Sequence, residues 1–348
     1  MKKSFMIFFL SILLLGGAVF YNDISANAAN KKTVIVIDPG HGGVGEKNVG
    51  AVYNGFTEKD LTIVVAAAMK NELEKYDNVE VYLTRTSDVF MSLEDRAKFA
   101  KEKKADFVYS IHFNASVEHN FYGSEVWCSA FGNYYKKGYE FGLIEQEELR
   151  SLDLYQKGVK TKIGKTGQDY YGIIRQCVSR GITCDIIEHC YLDHAYDVQS
   201  VKSQDFLSKL GVCDATAVAK FFKLKSKDGK TDFSNFKYSS VMIPSTAVGQ
   251  DLTEPDVCSI KVLAYDKDSR NALVELTAKD SQSPIIYFSY SYDGGNNFCT
   301  LGMWDRTKET QSFNIKIPNG RTTADIICRA YNNYELFSDS NEVSIETR

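Results

Sequence analysis

The stretch VIVIDPGHGG at residues 34–43 decides the fold class of the first half of this chain. Four β-forming residues run directly into a Pro/Gly-rich loop that holds His41, which is typical of a buried parallel strand that ends at a ligand-binding edge. A second β-rich run, ADFVYSIHFN at residues 105–114, also leads to an imidazole, that of His112. The chain has only five His residues. Two of them at corresponding strand ends favour a shared metal site over two hydrogen-bonded loop histidines.

A zinc site in a hydrolase usually takes three nitrogen or oxygen ligands and leaves a fourth position for water. Glu58 is the candidate third ligand, because it lies where an amphipathic helix is predicted to begin. Thr57 and Asp60 have near capping-box spacing there, and apolar residues then recur at i, i+3 and i+4 from Leu61 to Leu73. A Glu in the first turn of a helix also complements the helix dipole. The ligand and the purely structural interpretation of Glu58 therefore both stay open.

A third β-rich run, GITCDIIEH at residues 181–189, carries the carboxylate Glu188 near its end. Zinc-assisted hydrolysis needs a general base that takes the proton of the bound water. A Glu at a strand end, beside histidines from two other strand ends, can supply that base. The alternative interpretation is a salt-bridged strand terminus.

Six motifs in a fixed order resemble one enzyme family, the zinc-dependent N-acetylmuramoyl-L-alanine amidases with an amidase-3 type catalytic domain. The resemblance covers about residues 31–224, and no single motif would carry it alone. The motifs are DPGHGG at 38–43, EKDL at 58–61, LTRTSD at 83–88, Leu93 with Arg96, SIHFNAS at 110–116, and a late strand that ends in Glu188.

The resemblance implies a zinc metallohydrolase that cleaves the amide bond between N-acetylmuramic acid and L-alanine in peptidoglycan. It implies one zinc ion per chain, held by His41, Glu58 and His112, and a catalytic role for Glu188. Two rival functions are a wall-binding protein whose catalytic domain has decayed and a different zinc amidohydrolase, such as a peptidase or a deacetylase. The complete set of two His and two Glu residues argues against decay.

Three further positions match the family and are expected to orient ligands or to contact substrate: Asp38, Arg85 and Asn114. The chain departs from the family after Glu188, where the family often has G-F-[IL]-[ST]-N and this chain has HCYLDH at residues 189–194. His189 and Cys190 are possible metal ligands by chemistry. Successive strand residues face opposite sides, so only Cys190 is expected to share the face of Glu188.

Residues 1–28 have the composition of a secretory signal peptide: two lysines, an apolar run from about Phe5 to Phe20, and the small-residue site Ala26-Asn27-Ala28. We expect cleavage after Ala28, with an uncleaved anchor as the alternative. The protein is then secreted or located in the cell wall, and it meets the membrane only transiently. A net charge of −4 argues against a nucleic-acid partner, and the sequence leaves protein partners unknown.

The fold class predicted for residues 29–224 is α/β, with an open, mostly parallel sheet and helices on both faces. Within it, residues 129–175 are predicted to form helix and loop without a strand, and 203–224 to form a final helix. A polar linker is expected at 225–250.

Residues 251–348 change to a period of two, which predicts a small all-β sandwich. Strands are expected at 259–265, 272–278, 285–292, 313–317 and 325–331, with a hairpin turn at 293–295. The run RAYNN at 329–333 resembles the end of fibronectin type III-like or immunoglobulin-like modules. Such a module is expected either to bind wall polymer or to act as a spacer.

The eight Cys residues suggest disulfides in an exported protein. Five of them fall before residue 225 and three after residue 250, which is an odd number on each side. Several lie inside β-rich runs, where Cys packs as a small hydrophobe. We therefore expect mostly buried free thiols.

Overall fold

A computed structural model describes residues 32–45 and 48–348 of the chain. The predicted signal peptide lies outside the described residues. Within the described ranges, no helix is both long enough and apolar enough to cross a bilayer.

The first half of the chain alternates strands and helices. Its strands are β1 (Thr33–Pro39), β2 (Val52–Tyr53), β3 (Phe56–Thr57), β4 (Val79–Leu83), β5 (Phe107–Asn114), β6 (Ser124–Trp127), β7 (Gln156–Lys160) and β8 (Thr183–Tyr191). Its helices are α1 (Glu58–Leu73), α2 (Leu93–Glu102), α3 (Gly132–Arg150), α4 (Gly172–Val178), α5 (Ala195–Val201) and α6 (Gln204–Phe221).

Six of these strands form one sheet in the order β4-β1-β5-β8-β6-β7. The first four are parallel to one another, whereas β6 runs antiparallel to β8 and parallel to β7. Helices α1, α3 and α6 cover one face and helices α2 and α4 the other. The predicted α/β class, with a largely parallel sheet between helices, is confirmed.

The apolar run of β1 shows why this sheet is buried on both sides. Ile35 and Ile37 face the core under α1, α3 and α6, and Val36 faces the core under α2 and α4. All three side chains are fully buried. A continuous apolar run is what a strand covered on both faces requires.

Two local predictions for the first half were wrong. The segment 129–175 contains a strand, β7, which pairs with the equally polar β6. Neither strand has an apolar pattern. Glu125 of β6 and the two lysines of β7, Lys157 and Lys160, can be buried because they form ion pairs with one another. Thr57 is the residue that precedes α1, but its side chain makes no capping hydrogen bond.

The second half is all-β, as predicted. Its strands are β9 (Val257–Asp266), β10 (Asn271–Lys279), β11 (Ile285–Ser291), β12 (Gly302–Met303), β13 (Thr310–Lys316), β14 (Thr323–Asn332), β15 (Phe337–Asp339) and β16 (Val343–Glu346). One antiparallel sheet has the order β13-β10-β9, and the other has the order β12-β11-β14-β15. Strand β16 also pairs with β14. The apolar cluster between them includes Val274, Ile315 and Ile326.

The five predicted strands of this half are present, and the short strands β12, β15 and β16 were not anticipated. The turn at residues 293–295 has positive φ at Gly294 (69°) and Gly295 (82°). It ends β11 but does not close a tight hairpin, because the partner strand β12 begins only at Gly302. The likeness of this half to fibronectin type III-like modules stays a prediction.

Residues 225–250, the predicted linker, form only isolated bridges. They nevertheless follow the surface of the first half: Val241 donates its N–H to Glu140 (2.9 Å), and Val248 donates to the carbonyl of Ala130 (2.9 Å). The predicted domain boundaries stay a prediction. All eight Cys are free thiols, six of them buried, as expected for small hydrophobes.

The two halves pack directly against each other through an aromatic cluster. Phe121, Tyr122 and Tyr191 of the first half meet Tyr287 and Tyr331 of the second. The hydroxyl of Tyr287 donates to the carbonyl of Tyr122. Buried aromatic side chains carry large apolar areas, so this contact holds the β half against the carboxyl edge of the first sheet.

Candidate active site

Three candidate ligands from different elements converge at the carboxyl edge of the first sheet. His41 follows β1, Glu58 opens α1 and His112 lies in β5. The Nε2 atom of His41 is 3.1 Å from Oε2 of Glu58, and Nδ1 of His112 is 2.8 Å from Oε1. One ligand atom from each residue lies within 4.8 Å of the other two, so the group could hold a metal ion.

This geometry suits a small tetrahedral ion. Bonds of about 2.1 Å in a tetrahedral site separate the ligand atoms by about 3.4 Å, which lies within the 4.8 Å that bounds the three candidate ligand atoms. The two imidazoles are 25% and 18% exposed and the Glu58 side chain 5%. The site is therefore closed by protein on one side and accessible to water and substrate on the other.

Two glycines make room for this group. A Cβ on Gly40 would lie 2.4 Å from Cε1 of His112, and one on Gly50 would lie 2.3 Å from Oε2 of Glu58. Both distances are shorter than real contacts between heavy atoms. The backbone thus approaches the ligand side chains as closely as glycine allows, which explains Gly40 of the DPGHGG motif beyond loop flexibility.

The loop that carries His41 is held by two buried arginines. His41 has a positive φ of 61°, a conformation that needs support from its surroundings. Arg96 donates to the carbonyl of His41 and to Asp38 (2.7 Å), and Arg85 donates to the carbonyl of Gly40 (2.6 Å). Asp38 and Arg85 are buried, and these contacts support the role of orienting a ligand; contact of either residue with substrate stays a prediction.

Glu58 is held in place by backbone hydrogen bonds to both of its carboxylate oxygens. Oε1 accepts from the N–H of Phe113 (3.0 Å) and Oε2 from the N–H of Ala51 (2.8 Å). Burial raises the pKa of this carboxyl, but hydrogen bonds from His112 and His41 outweigh burial and lower the pKa well below its usual range. Its position at the start of α1 adds a further favourable interaction with the helix dipole.

Glu188 lies on the strand next to the one that carries His112. Its Cα is registered with His112 of β5 on one side and with Glu125 of β6 on the other. Burial, together with the nearby charges of Glu58 and Glu125, raises the pKa of Glu188 well above its usual range. A carboxyl with a raised pKa suits a group that first accepts and then donates a proton.

His189 and Cys190 do not join the candidate metal group. His189 is fully buried on the opposite face, where one ring nitrogen lies 3.1 Å from the carbonyl oxygen of His112 and the other 3.0 Å from Asp214. Cys190 packs in the apolar core. His189 therefore supports the backbone of a candidate ligand from behind, a contact that its position next to Glu188 did not reveal.

Asn114 and a buried charge network extend the site along the sheet edge. The Asn114 amide donates to Glu125 (3.0 Å), and Glu125 also pairs with Lys160 (2.6 Å) and Lys157 (3.2 Å). Burial raises the pKa of Glu125, but the two lysines outweigh it and lower the pKa to about 2. Glu125 and both lysines were not anticipated from the sequence, because β6 and β7 have no apolar pattern.

Comparison with known proteins agrees with this arrangement. The family model for N-acetylmuramoyl-L-alanine amidase, the amidase-3 type, matches residues 35–220, which include His41, Glu58, His112 and Glu188. The chain belongs to this family. The matched range ends before the β half begins.

Individual members of the amidase family are similar over the same region. The N-acetylmuramoyl-L-alanine amidase CwlM of Bacillus licheniformis is 31% identical over 197 residues, which are 55% of this chain and 69% of that protein. The sporulation-specific N-acetylmuramoyl-L-alanine amidase of Bacillus subtilis is 30% identical over 192 residues, with the same two coverages. The solved structure of Cwp6 from Clostridium difficile shares the fold over 55% of this chain and 30% of its own length, with a TM-score of 0.51 and 23% identity.

Proposed function

We propose that this protein is a zinc-dependent hydrolase that cleaves the amide bond between N-acetylmuramic acid and L-alanine in peptidoglycan. The observation that carries the proposal is the group of His41, Glu58 and His112 with Glu188 beside it on the neighbouring strand. Membership of the amidase family supports the same reaction. We further propose that residues 1–28 are a signal peptide and that the protein acts in the cell wall.

In this proposal the chain's own groups bind, orient and move protons. A zinc ion held by His41, Glu58 and His112 would lower the pKa of a water molecule and polarise the scissile carbonyl. Glu188 accepts the proton of the attacking water and passes it to the leaving amine. His189 and Arg96 hold the backbone of His112 and His41 and so keep the ligand side chains in place.

The proposal is tested by product analysis on purified peptidoglycan. New L-alanine amino termini without new reducing sugar ends are expected, together with about one zinc per chain. Release of acetate would identify a deacetylase, and a bond cut inside the peptide would identify a peptidase. Binding to peptidoglycan without any product would identify a decayed, wall-binding protein.

The Glu188→Gln variant separates catalysis from metal binding. We expect it to retain zinc and to lose on the order of 10²-fold or more in rate, because the amide cannot accept the proton. His112→Ala is the companion variant and is expected to lose the metal. Near wild-type turnover of Glu188→Gln would assign the proton transfer to another group.

A further inference from the structure

A groove of about 450 Å³ lies between the two halves of the chain, next to Asn114 and Glu125. The first half lines it with the segment 114–118 and with side chains of β6, β7 and β8. The β half and the segment before it supply the opposite wall, from residues 250–252 and 334–336. The groove therefore exists only when both halves are in place.

The wall from the β half is anchored to the first half by specific contacts. Tyr334 accepts a hydrogen bond from the N–H of Thr161 (3.3 Å), and its hydroxyl lies 3.2 Å from the Thr161 carbonyl oxygen. Glu335 accepts from Lys157 and from the hydroxyl of Tyr191 (2.9 Å). Lys157 is fully buried, and a buried ammonium needs such partners. Glu335 thus helps to neutralise the buried ammonium of Lys157, which lies in the same sheet as Glu188.

The order of the strands sets the direction of the groove relative to the candidate ligands. His41 and His112 belong to β1 and β5, Glu188 to β8, and the groove lies over β8, β6 and β7. A separate cavity of about 360 Å³ lies at the end of β1 and is lined by His41 and His112 themselves. Glu188 is registered with Glu125, which lines the groove, so we expect the peptide that begins with the leaving amine to extend from Glu188 over β6 and β7.

The charges of the groove suit an acidic peptide. Lys162 lines it, and among the described residues no carboxylate lies within 4.0 Å of its ammonium. The acidic side chains deeper in the groove already have partners: Glu125 and Glu335 pair with lysines, and Asp251 accepts from Ser283 and Thr253. Glu118 lies at the exposed rim. The ammonium of Lys162 lies over the ring of Tyr170, 4.2 Å from the ring centroid, a contact that leaves its N–H donors able to meet a carboxylate of a bound peptide.

We propose that this groove holds the peptide stem of the substrate, so that the β half forms one wall of the substrate site. The proposal rests on the proposed amidase function and adds a role for the β half that is neither remote wall binding nor spacing. Leu252 provides the test, because it lines the groove and is 77% exposed, so a substitution there disturbs no core.

The experiment measures binding to the full-length chain in the Glu188→Gln background, where turnover is suppressed. Calorimetry compares an N-acetylmuramoyl-tripeptide with the N-methylamide of N-acetylmuramic acid, which has the sugar and the amide but no peptide carboxylate. Leu252→Glu is expected to raise Kd for the tripeptide about fivefold through like-charge repulsion, and Leu252→Lys to lower it or leave it unchanged. The matched control is Leu263→Glu on β9, which is 47% exposed and does not line the groove. Neither Leu252→Glu nor this control is expected to change the Kd of the methylamide.

Each other outcome overturns a defined part of the reasoning. Equal Kd values for Leu252→Glu and Leu263→Glu would show that the groove does not hold the peptide. Equal weakening by Leu252→Glu and Leu252→Lys would refute the preference for an acidic peptide. Equal weakening of the methylamide would place the sugar in the groove. Failure of the amidase function itself would be seen separately, as absence of L-alanine release by the wild-type chain.

Discussion

Replacement of Gly40 by Ala tests whether close backbone packing keeps the candidate ligands in place. The added Cβ would lie 2.4 Å from Cε1 and 2.5 Å from Nε2 of His112, and 2.7 Å from the carbonyl oxygen of Ile111. Ordinary contacts begin at 3.4 Å, so the ring or the loop must move by about 1 Å. The carbonyl oxygen belongs to the buried strand β5 and gives way less easily than the loop that carries His41.

A shift of about 1 Å in one ligand separates His112 from Glu58, which are now 2.8 Å apart. We expect a loss in zinc affinity on the order of 10-fold to 100-fold, a similar loss in kcat/KM, and a destabilisation of about 1–3 kcal/mol from overpacking. Zinc competition with a chromophoric chelator, urea unfolding and L-alanine release measure the three effects. Gly249→Ala is the control, because its Cβ would meet only Ile163 at 3.5 Å. Unchanged zinc affinity in a folded Gly40→Ala chain would refute the proposed packing constraint.

Two further substitutions test the surroundings of the site. Arg96→Lys removes the planar guanidinium that donates to Asp38 and to the carbonyl of His41. Zinc affinity, measured by the same chelator competition, is therefore expected to fall by about 10-fold. The exposed Arg150→Lys is the control, and an equal effect of the two substitutions would contradict this role of Arg96. Asp197 has a pKa raised to about 6 by burial, against 3.8 in the unfolded chain, so the folded chain binds the proton more tightly and its stability falls as the pH rises from about 4 to 6. The loss is about 3 kcal/mol, and Asp197→Asn should remove it; urea unfolding at pH 4 and pH 7 measures the difference, and an unchanged pH dependence in the variant would show that Asp197 is not its source.

Much of the first half could be predicted because its signals are local. The continuous apolar run of β1 predicts a strand that is buried on both faces. The Pro/Gly-rich residues that follow it predict a sharp turn that places His41 at the end of the strand. The amphipathic spacing from Leu61 to Leu73 likewise predicts α1 and places Glu58 in its first turn. Parallel strands end at one edge of a sheet, so the convergence of His41, Glu58 and His112 follows from the order of these elements.

The polar strands β6 and β7 could not be predicted, because their burial depends on partners far away in the chain. Lys157 can be buried because two carboxylates neutralise its charge. Glu125 lies 32 residues before it in the chain and Glu335 lies 178 residues after it. No window of sequence around a buried lysine reports the carboxylate that will reach it.

The sequence by itself determined the α/β class, the all-β second half and the residues that could bind a metal, because each depends on a periodicity or a motif within a short segment. Only the tertiary structure decided that His189 supports the backbone of His112, that Asp38 and Arg85 hold a loop, and that the β half packs beside the candidate site. These contacts form between segments that meet only after folding. Whether such a contact forms depends on the volume and the charge of the side chains that come together, and not on the local sequence pattern.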